Sequence, residues 1–248
     1  VLITVVLLDF KFVNLAFMRQ IIFVILTLLP LFILGQNENR DIILDGIDKM
    51  LEKEHERSLE LLAQAKILAE EKSNDEELFL IYNNIGLNYY SMLDYGEALK
   101  NYQKAYEIAI DKLGSAQEST ALNNIAILYS QEKKLKKAEN HFLKAYKISK
   151  KNKEKLKTAL YAINLSQVYN EMNETKKAHD YIVESFELTK TGTDLFLEAK
   201  ISLLNNYYLR DKYEDAKSIA LEILPYLKEK QFSDQRTFTY ITLSKIAQ

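Results

Sequence analysis

Three asparagines spaced forty residues apart, Asn84, Asn124 and Asn164, are the side chains whose type and spacing best suit molecular recognition. Asn83 and Asn123 stand directly before the first two. A side-chain amide carries both donors and an acceptor, so it can pair with a peptide unit of any sequence. The spacing therefore predicts a row of amides, which either contacts a ligand or bonds neighbouring helices within the fold.

Catalytic and metal-binding patterns find no support in the sequence. Cysteine is absent, which excludes thiol catalysis, disulfides and thiolate metal sites. The histidines, His55, His141 and His179, are solitary, and no glycine-rich phosphate loop is present. We therefore expect no enzyme activity, no metal and no cofactor.

The asparagines belong to a repeated phrase. Residues 82–89 read YNNIGLNY, residues 122–129 read LNNIAILY, and residues 162–169 read AINLSQVY. A period of this size is typical of a solenoid, which presents an extended binding surface. Six Gly and two Pro in 248 residues leave little material for tight hairpins, so we predict an all-α chain.

Apolar residues in the clearest copy follow helical spacing in two segments, helix A at about 78–92 and helix B at about 95–110. The pattern of large and small residues in this pair resembles the tetratricopeptide repeat: Tyr82, Ile85, Gly86, Tyr89, Ala98, Tyr102 and Ala105. In that family the small residues mark where the two helix backbones cross closely. Tyr89, Tyr129 and Tyr169 then fall where the family packs a bulky side chain.

The following copies repeat this order of residues. The second has Leu122, Ile125, Ala126, Tyr129, Ala138, Phe142 and Ala145, and the third has Ala162, Leu165, Ser166, Tyr169, Ala178, Ile182 and Ser185. A degenerate fourth copy places Leu204 and Ala220 where a small and a large residue are expected. A divergent hairpin at 39–73 precedes these copies, and an unpaired helix from residue 234 is expected to expose Leu243 and Ile246.

The fold predicted is an α-solenoid of antiparallel helical hairpins, forming a right-handed superhelix over residues 36–248. Its repeats span about 39–78, 79–118, 119–158, 159–196 and 197–236, with a partial copy at 237–248. The forty-residue period exceeds the 34 residues of the tetratricopeptide repeat. We expect the extra residues to lengthen helices or to lie between hairpins, as at 112–119. HEAT and armadillo repeats have similar periods but lack this residue order.

The resemblance implies that the A helices line a concave groove. In the kinesin light chain group and in bacterial peptide-receptor solenoids, asparagines at this position bond the backbone of a bound peptide. The predicted peptide-binding set is Asn83, Asn84, Leu87, Tyr90, Ser91, Asn123, Asn124, Ile127, Ser130, Gln131, Asn164, Gln167, Asn170 and Glu171. These positions lack the Lys and Arg cluster with which the family clamps a terminal carboxylate, so an acidic C-terminal tail is not the expected ligand.

The first 35 residues are interpreted as a targeting segment and not as part of the fold. Met18-Arg19-Gln20 gives a short basic start, residues 21–34 are almost wholly apolar, and polarity returns after Gly35. This order resembles a secretory signal peptide, with translation expected to begin at Met18. The apolar run is short for a permanent anchor. We therefore expect an exported protein, periplasmic or associated with the cell envelope.

The function predicted from these features is a scaffold that binds a protein or peptide in the bacterial cell envelope. The alternative is the N-terminal sensor region of a truncated membrane signal transducer, such as a histidine kinase or a transcription regulator. A net charge of −2 does not favour nucleic acid as a partner. Membrane contact is expected only through the signal peptide or a missing C-terminal segment. The lysine-rich stretches at 133–137 and 147–157 are interpreted as solvated helix faces.

Overall fold

The computed structural model describes residues 38–190, 193–228 and 233–247, and all its regular elements are helices. The predicted signal peptide lies outside these residues. The helices are α1 (Glu38–Leu51), α2 (His55–Glu71), α3 (Asp75–Ser91), α4 (Tyr95–Ile108), α5 (Ser115–Gln131), α6 (Leu135–Lys151), α7 (Lys155–Glu171), α8 (Thr175–Leu188), α9 (Asp194–Leu209), α10 (Tyr213–Ile223) and α11 (Ser233–Ile246). A π turn, Ala109–Leu113, extends α4, and a 3₁₀ turn, Leu224–Lys228, follows α10.

The forty-residue period comes from the lengths of the helices. Helices α2, α3, α5, α6 and α7 each have 17 residues. Most of the turns that join helices have three residues, both within a hairpin and between hairpins. Two helices and two such turns make one repeat. Of the two predicted places for the extra residues, the helices are confirmed. At 112–119 a π turn extends α4 to Leu113 and α5 begins at Ser115, so no loop of extra residues lies between these hairpins.

The three-residue turns share one backbone form. Each contains a residue with positive φ, at Lys53, Ser73, Leu93, Lys133, Lys153, Asn173 and Asp211. At the end of α3 the Leu93 amide donates to the Tyr90 carbonyl at 3.0 Å, and the Asp94 amide donates to the Tyr89 carbonyl at 2.9 Å. This pair of bonds is the Schellman motif. The Asp94 side chain then accepts a bond from the Glu97 amide, which caps α4.

The small residues lie at the helix crossings, as the sequence predicts. A Cβ atom at Gly86 of α3 would lie 2.6 Å from the Tyr102 ring of α4, closer than carbon atoms can pack. Ala98, Ala126 and Ala138 are fully buried. The close approach of paired helices therefore depends on the missing side-chain volume at these positions.

The packing tyrosines also lie where the spacing predicts. Tyr169 is buried and stacks on Tyr181, with the ring centroids 5.6 Å apart. Tyr129 packs its ring against His141 at 5.2 Å. Tyr89 is partly buried against the cluster that contains Ala98 and Tyr102. These rings pack between helices A and B, as the spacing predicts, and Tyr89 and Tyr129 remain partly exposed.

The described residues form two compact units, which divide between Tyr161 and Ala162 inside α7. In the second unit, Leu197, Leu204, Ala216, Ala220 and Ile223 belong to one buried cluster. The side chains of Leu243 and Ile246 on α11 are partly buried against this cluster, so the prediction that they form an exposed flank is wrong. The exposed apolar side chains of α11 are instead Tyr240 and Ile241.

We predict opposite effects for two substitutions in the turns. Leu93 is exposed and has φ 63°, a conformation that costs a residue with a Cβ atom about 1–2 kcal/mol, so Leu93→Gly is expected to raise the free energy of unfolding by about 0.5–1 kcal/mol. Gly114 has φ 124° and ψ −171°, a region that is essentially open to glycine only. Gly114→Ala is therefore expected to lower the free energy of unfolding by about 1–3 kcal/mol.

Urea unfolding followed by circular dichroism measures both changes. Equal effects of the two substitutions, or destabilisation by Leu93→Gly, would contradict this account of the turns.

Candidate peptide-binding surface

Helices α3 and α5 bring the first four predicted asparagines together on their facing sides. Asn83, Asn84, Asn123 and Asn124 are all buried, with at most 4% of each residue exposed. The Asn83 amide donates to the Phe79 carbonyl at 2.7 Å. Asn84 makes the same bond to a carbonyl one turn earlier in α3, at 2.8 Å. Each amide thus uses one donor within its own helix.

One asparagine pair also links the two helices. The Asn124 Nδ2 atom donates to the Asn83 Oδ1 atom at 2.8 Å. The Asn123 Nδ2 atom lies 3.4 Å from the Asn124 Oδ1 atom. A buried hydrogen bond of this kind fixes the register of α3 against α5, because breaking it leaves a desolvated polar atom without a partner. These amides therefore have a structural role in the stack.

The other predicted residues on α3 and α5 differ in exposure. Leu87 and Tyr90 are buried and belong to core clusters, and the Tyr90 ring packs 5.7 Å from that of Tyr95. Ser91, Ile127 and Ser130 are partly exposed, and Gln131 is exposed. The accessible part of the predicted surface is thus at the C-terminal ends of the two helices, one to two turns beyond the asparagines.

In the second unit, the predicted residues lie on α7. Asn164 and Asn170 are buried, whereas Gln167 is partly exposed and Glu171 is exposed. The Gln167 Nε2 atom lies 3.4 Å from the Ser202 Oγ atom of α9. The Asn170 Oδ1 atom accepts a bond from the Asn206 Nδ2 atom at 2.9 Å. As on α3 and α5, buried amides connect successive A helices.

Two buried asparagines, Asn88 and Asn206, were not predicted from the sequence. Asn88 donates to the Ser58 Oγ atom at 2.8 Å and pairs with the His55 Nδ1 atom at 3.1 Å, which joins α2 to α3. Asn206 also donates to the Thr175 carbonyl at 2.8 Å. Each asparagine stands directly before a tyrosine of the repeat pattern, where the intervening copies have Leu128 and Val168. A polar residue at a position that is apolar in the other copies was the sequence feature from which these two asparagines could have been predicted.

His179 of α8 lies beside the Asn206 network, with its ring centroid 5.7 Å from that of Tyr207. Burial lowers the pKa of the His179 imidazole, and the positive charge of Arg210 lowers it further. The neutral ring is therefore favoured in the folded state, which suits a packing role.

A separate cavity of 510 Å³ is lined by residues of α2, α3 and α4. Ile85 and Tyr89 form its apolar part, and Lys66, Lys104 and Glu107 are among its charged residues. It contains none of the residues of the predicted peptide-binding set. Its charges are of both signs, so it does not favour a ligand of one charge.

Within 38–190, 193–228 and 233–247, no group of three or more His, Asp or Glu side chains could hold a metal ion. In the same ranges, no helix is both long and apolar enough to cross a membrane.

Family models for the tetratricopeptide repeat match residues 80–117 and residues 117–191. A search of curated proteins found no match. Tetratricopeptide repeats generally bind protein or peptide partners.

Solved structures share the fold at low identity. BtubC (BKLC) from P. vanneervenii matches with a TM-score of 0.63 and 17% identity, over 85% of this chain and 84% of that chain. A tetratricopeptide repeat protein from Parabacteroides merdae has a TM-score of 0.57 and 17% identity, over 84% of this chain and 74% of that chain.

A signal transduction ATPase with a tetratricopeptide repeat sensor, from Pyrococcus horikoshii, has a TM-score of 0.66 and 19% identity, over 84% of this chain and 33% of that chain. With the helix pairs and the small residues at their crossings, the two family matches identify residues 80–191 as tetratricopeptide repeats, and the chain has an all-helical solenoid fold.

Proposed function

We propose that this protein binds an extended peptide segment of a partner on the A-helix surface of its repeats, without chemistry of its own. The observation that carries the proposal is the Asn124 to Asn83 bond, which holds α3 and α5 in a fixed register. Binding to a surface that is already ordered avoids the entropy cost of ordering it. The surface in this proposal has the asparagines as its floor and Ile127, Ser130 and Gln131 as its accessible part, because the Ser91 hydroxyl oxygen is buried.

The chemistry of this surface favours a peptide with neutral character. Hydroxyl and amide groups can pair with the peptide backbone, and Ile127 offers an apolar contact. On α3 and α5 the predicted set contains no charged side chain. Affinity for such a ligand comes from a few well-packed contacts and the loss of water around them.

The cell envelope is the proposed setting, and its support is the apolar stretch at 21–34 after Met18 and Arg19. A second candidate is a sensor region within a longer membrane signal transducer. The likeness in fold to the repeat sensor of the Pyrococcus horikoshii ATPase favours this candidate. Both candidates use the same surface for recognition and differ in what the bound state triggers.

The surface can be tested with peptides selected on the full chain from a random phage-displayed library. The double variant Ser130→Arg and Gln131→Arg should weaken the selected peptides at least tenfold, since it places two long charged side chains on the accessible part. The matched control is the double variant Gln64→Arg and Gln103→Arg, on exposed residues of α2 and α4 outside the predicted set, which adds the same charge. Fluorescence anisotropy with synthetic peptides measures both affinities. Equal affinity for the double variant and the wild type would exclude this surface.

The role of the asparagine pair is tested separately, by a double-mutant cycle on Asn83→Ala and Asn124→Ala. Asn124→Ala should lower the free energy of unfolding by about 1–3 kcal/mol, because the Asn83 Oδ1 atom loses its partner in a buried site. The coupling between the two substitutions should be about 0.5–1.5 kcal/mol. Chemical denaturation measures all four proteins, and strictly additive effects would show that the bond does not join the helices in solution.

A further inference from the structure

Residues 133–157 carry a charge opposite to that of the rest of the chain. They contain eleven Lys, two Glu, no Asp and no Arg, which gives a formal charge of +9. The whole chain carries −2, so the remaining residues carry −11. This segment comprises helix α6, most of the turn before it, the turn after it and the first three residues of α7. Its charge is thus concentrated in one place.

The lysines within α6 lie on one side of the helix. At about 100° per residue, the six lysines of the helix fall within an arc of about 140°. The buried residues of the helix, among them Ala138, Phe142 and Ala145, occupy the opposite arc. Ten lysines of the segment are exposed: Lys133, Lys134, Lys136, Lys137, Lys144, Lys147, Lys150, Lys151, Lys153 and Lys155. Six of them lie on this face of α6, which is about 25 Å long at 1.5 Å per residue, and four lie at its two ends. Together these ten lysines are named the α6 ridge.

The fold itself does not require lysine at these positions. Forty residues earlier, in the segment formed by α4 and its π turn, the counterparts of Lys147 and Lys151 are Glu107 and Asp111. Forty residues later, on α8, the counterparts of Lys144 and Lys147 are Glu184 and Glu187. The same structural positions therefore accept carboxylates in neighbouring copies. The positive charge is a property of this copy alone among the three.

Five of the eleven lysines have partners within the protein. Lys157 lies 2.9 Å from Glu154, Lys150 donates to the Tyr146 hydroxyl at 2.9 Å, and Lys133 also has a partner. Lys136 pairs with Glu139 at 2.9 Å, and Lys134 pairs with Glu132 at 3.0 Å. Among the described residues, no carboxylate lies within 4 Å of the ammonium groups of Lys144, Lys147, Lys151, Lys153 and Lys155. Their charge is available to an external partner.

We propose that the α6 ridge docks the protein on the surface of a membrane that contains anionic lipids. A bilayer with anionic headgroups attracts each nearby lysine and adds about a fivefold gain in partitioning per lysine. The exposed Leu156 lies in sequence between Lys155 and Lys157, where it can enter the interface beside the headgroups. The combination of a basic ridge and an adjacent apolar side chain suits a headgroup layer.

Other polyanions fit the ridge less well. A convex ridge offers no pocket for the side chains of an acidic peptide, which would gain only exposed ion pairs of little value. Lysines can neutralise the phosphates of nucleic acid, but reading bases favours Arg and binding single strands favours exposed aromatic rings. The segment has no Arg, and its Phe142 and Tyr146 are buried. The membrane proposal is independent of the peptide-binding surface, since it uses different residues.

The proposal can be tested by sedimentation of the full chain with vesicles of phosphatidylcholine that contain 0 or about 30% phosphatidylglycerol. The test variant is Lys144→Glu, Lys147→Glu, Lys151→Asp, which places in α6 the carboxylates that neighbouring copies carry. The control variant, Lys72→Glu, Lys104→Glu, Lys112→Glu, makes the same change in net charge elsewhere. Both variants keep the N-terminal apolar stretch, so any contribution from that stretch is common to all proteins.

The expected result is that the test variant loses at least tenfold in partitioning to anionic vesicles and the control loses less than threefold. Binding to neutral vesicles should be unchanged, and the difference on anionic vesicles should vanish at about 0.5 M NaCl, where charges are screened over a few ångströms. A thermal melt followed by circular dichroism checks the fold. If the test variant melts early, Lys144→Gln, Lys147→Gln, Lys151→Gln replaces it, with a smaller loss expected.

Three outcomes would overturn the proposal. The first is equal partitioning of the wild type and a folded test variant. The second is a loss in the control as large as in the test variant, which would reflect net charge alone. The third is tighter binding of a labelled 30-base-pair DNA duplex or of poly-glutamate than of anionic vesicles, with that binding lost in the test variant. Such a result would assign the ridge to a different partner.

Discussion

The close crossing of the two helices in each pair is the constraint on which the rest of this structure depends. At the crossing of α3 and α4, Gly86 leaves room for the Tyr102 ring, and a single added carbon would lie 2.6 Å from it. At the first hairpin, a carbon added to Gly46 would lie 3.1 Å from Leu62. Interiors pack at nearly crystalline density, so the side chains at a crossing must share a fixed volume.

The fifth hairpin, formed by α9 and α10, satisfies the same constraint with the large residue on helix A and the small residue on helix B. Leu204 stands on helix A where other copies have Gly86, Ala126 or Ser166, and Ala220 stands on helix B where they have a large side chain. Both residues are fully buried in one cluster. The sequence alone marked this copy as degenerate. The structure shows an exchange of sizes between facing positions, which preserves the total volume.

The features that follow from period and size were predictable from the sequence. Gly86 and Ala98 identified the crossings, and Tyr169 identified the packing ring, because each position has one steric role in every copy. The bounds of the clearest helix pair, 78–92 and 95–110, were predicted to within three residues. The form of the turns was not predictable, since residues such as Leu93 and Lys133 adopt positive φ without being Gly or Asn. The prediction of an exposed flank on α11 was also wrong. Leu243 and Ile246 pack against a cluster whose residues are distant in the sequence and come together only in the folded chain.

The candidate binding surface was likewise predictable from the sequence only in part. Spacing placed the asparagines on one side of α3 and α5, but it left open whether their amides face a ligand or each other, because both uses need the same chemistry. In the structure, Asn124 donates a 2.8 Å hydrogen bond to Asn83, so these two amides face each other. The α6 ridge likewise needed the arrangement of side chains around the helix. A run of lysines becomes a surface only when its members share one face and lack nearby carboxylates.

The most direct test of the crossing constraint is to transfer the arrangement of the fifth hairpin to the second. Gly86→Leu and Tyr102→Ala should each lower the free energy of unfolding by about 2–5 kcal/mol, through overpacking and through a cavity, respectively. The double variant should be more stable than either single variant, with a coupling above about 1 kcal/mol in chemical denaturation. Replacing Gly86 by Leu also raises helix propensity, but this contribution is the same in the single and the double variant and so does not affect the coupling energy. A double variant as unstable as the sum of the two would contradict the account.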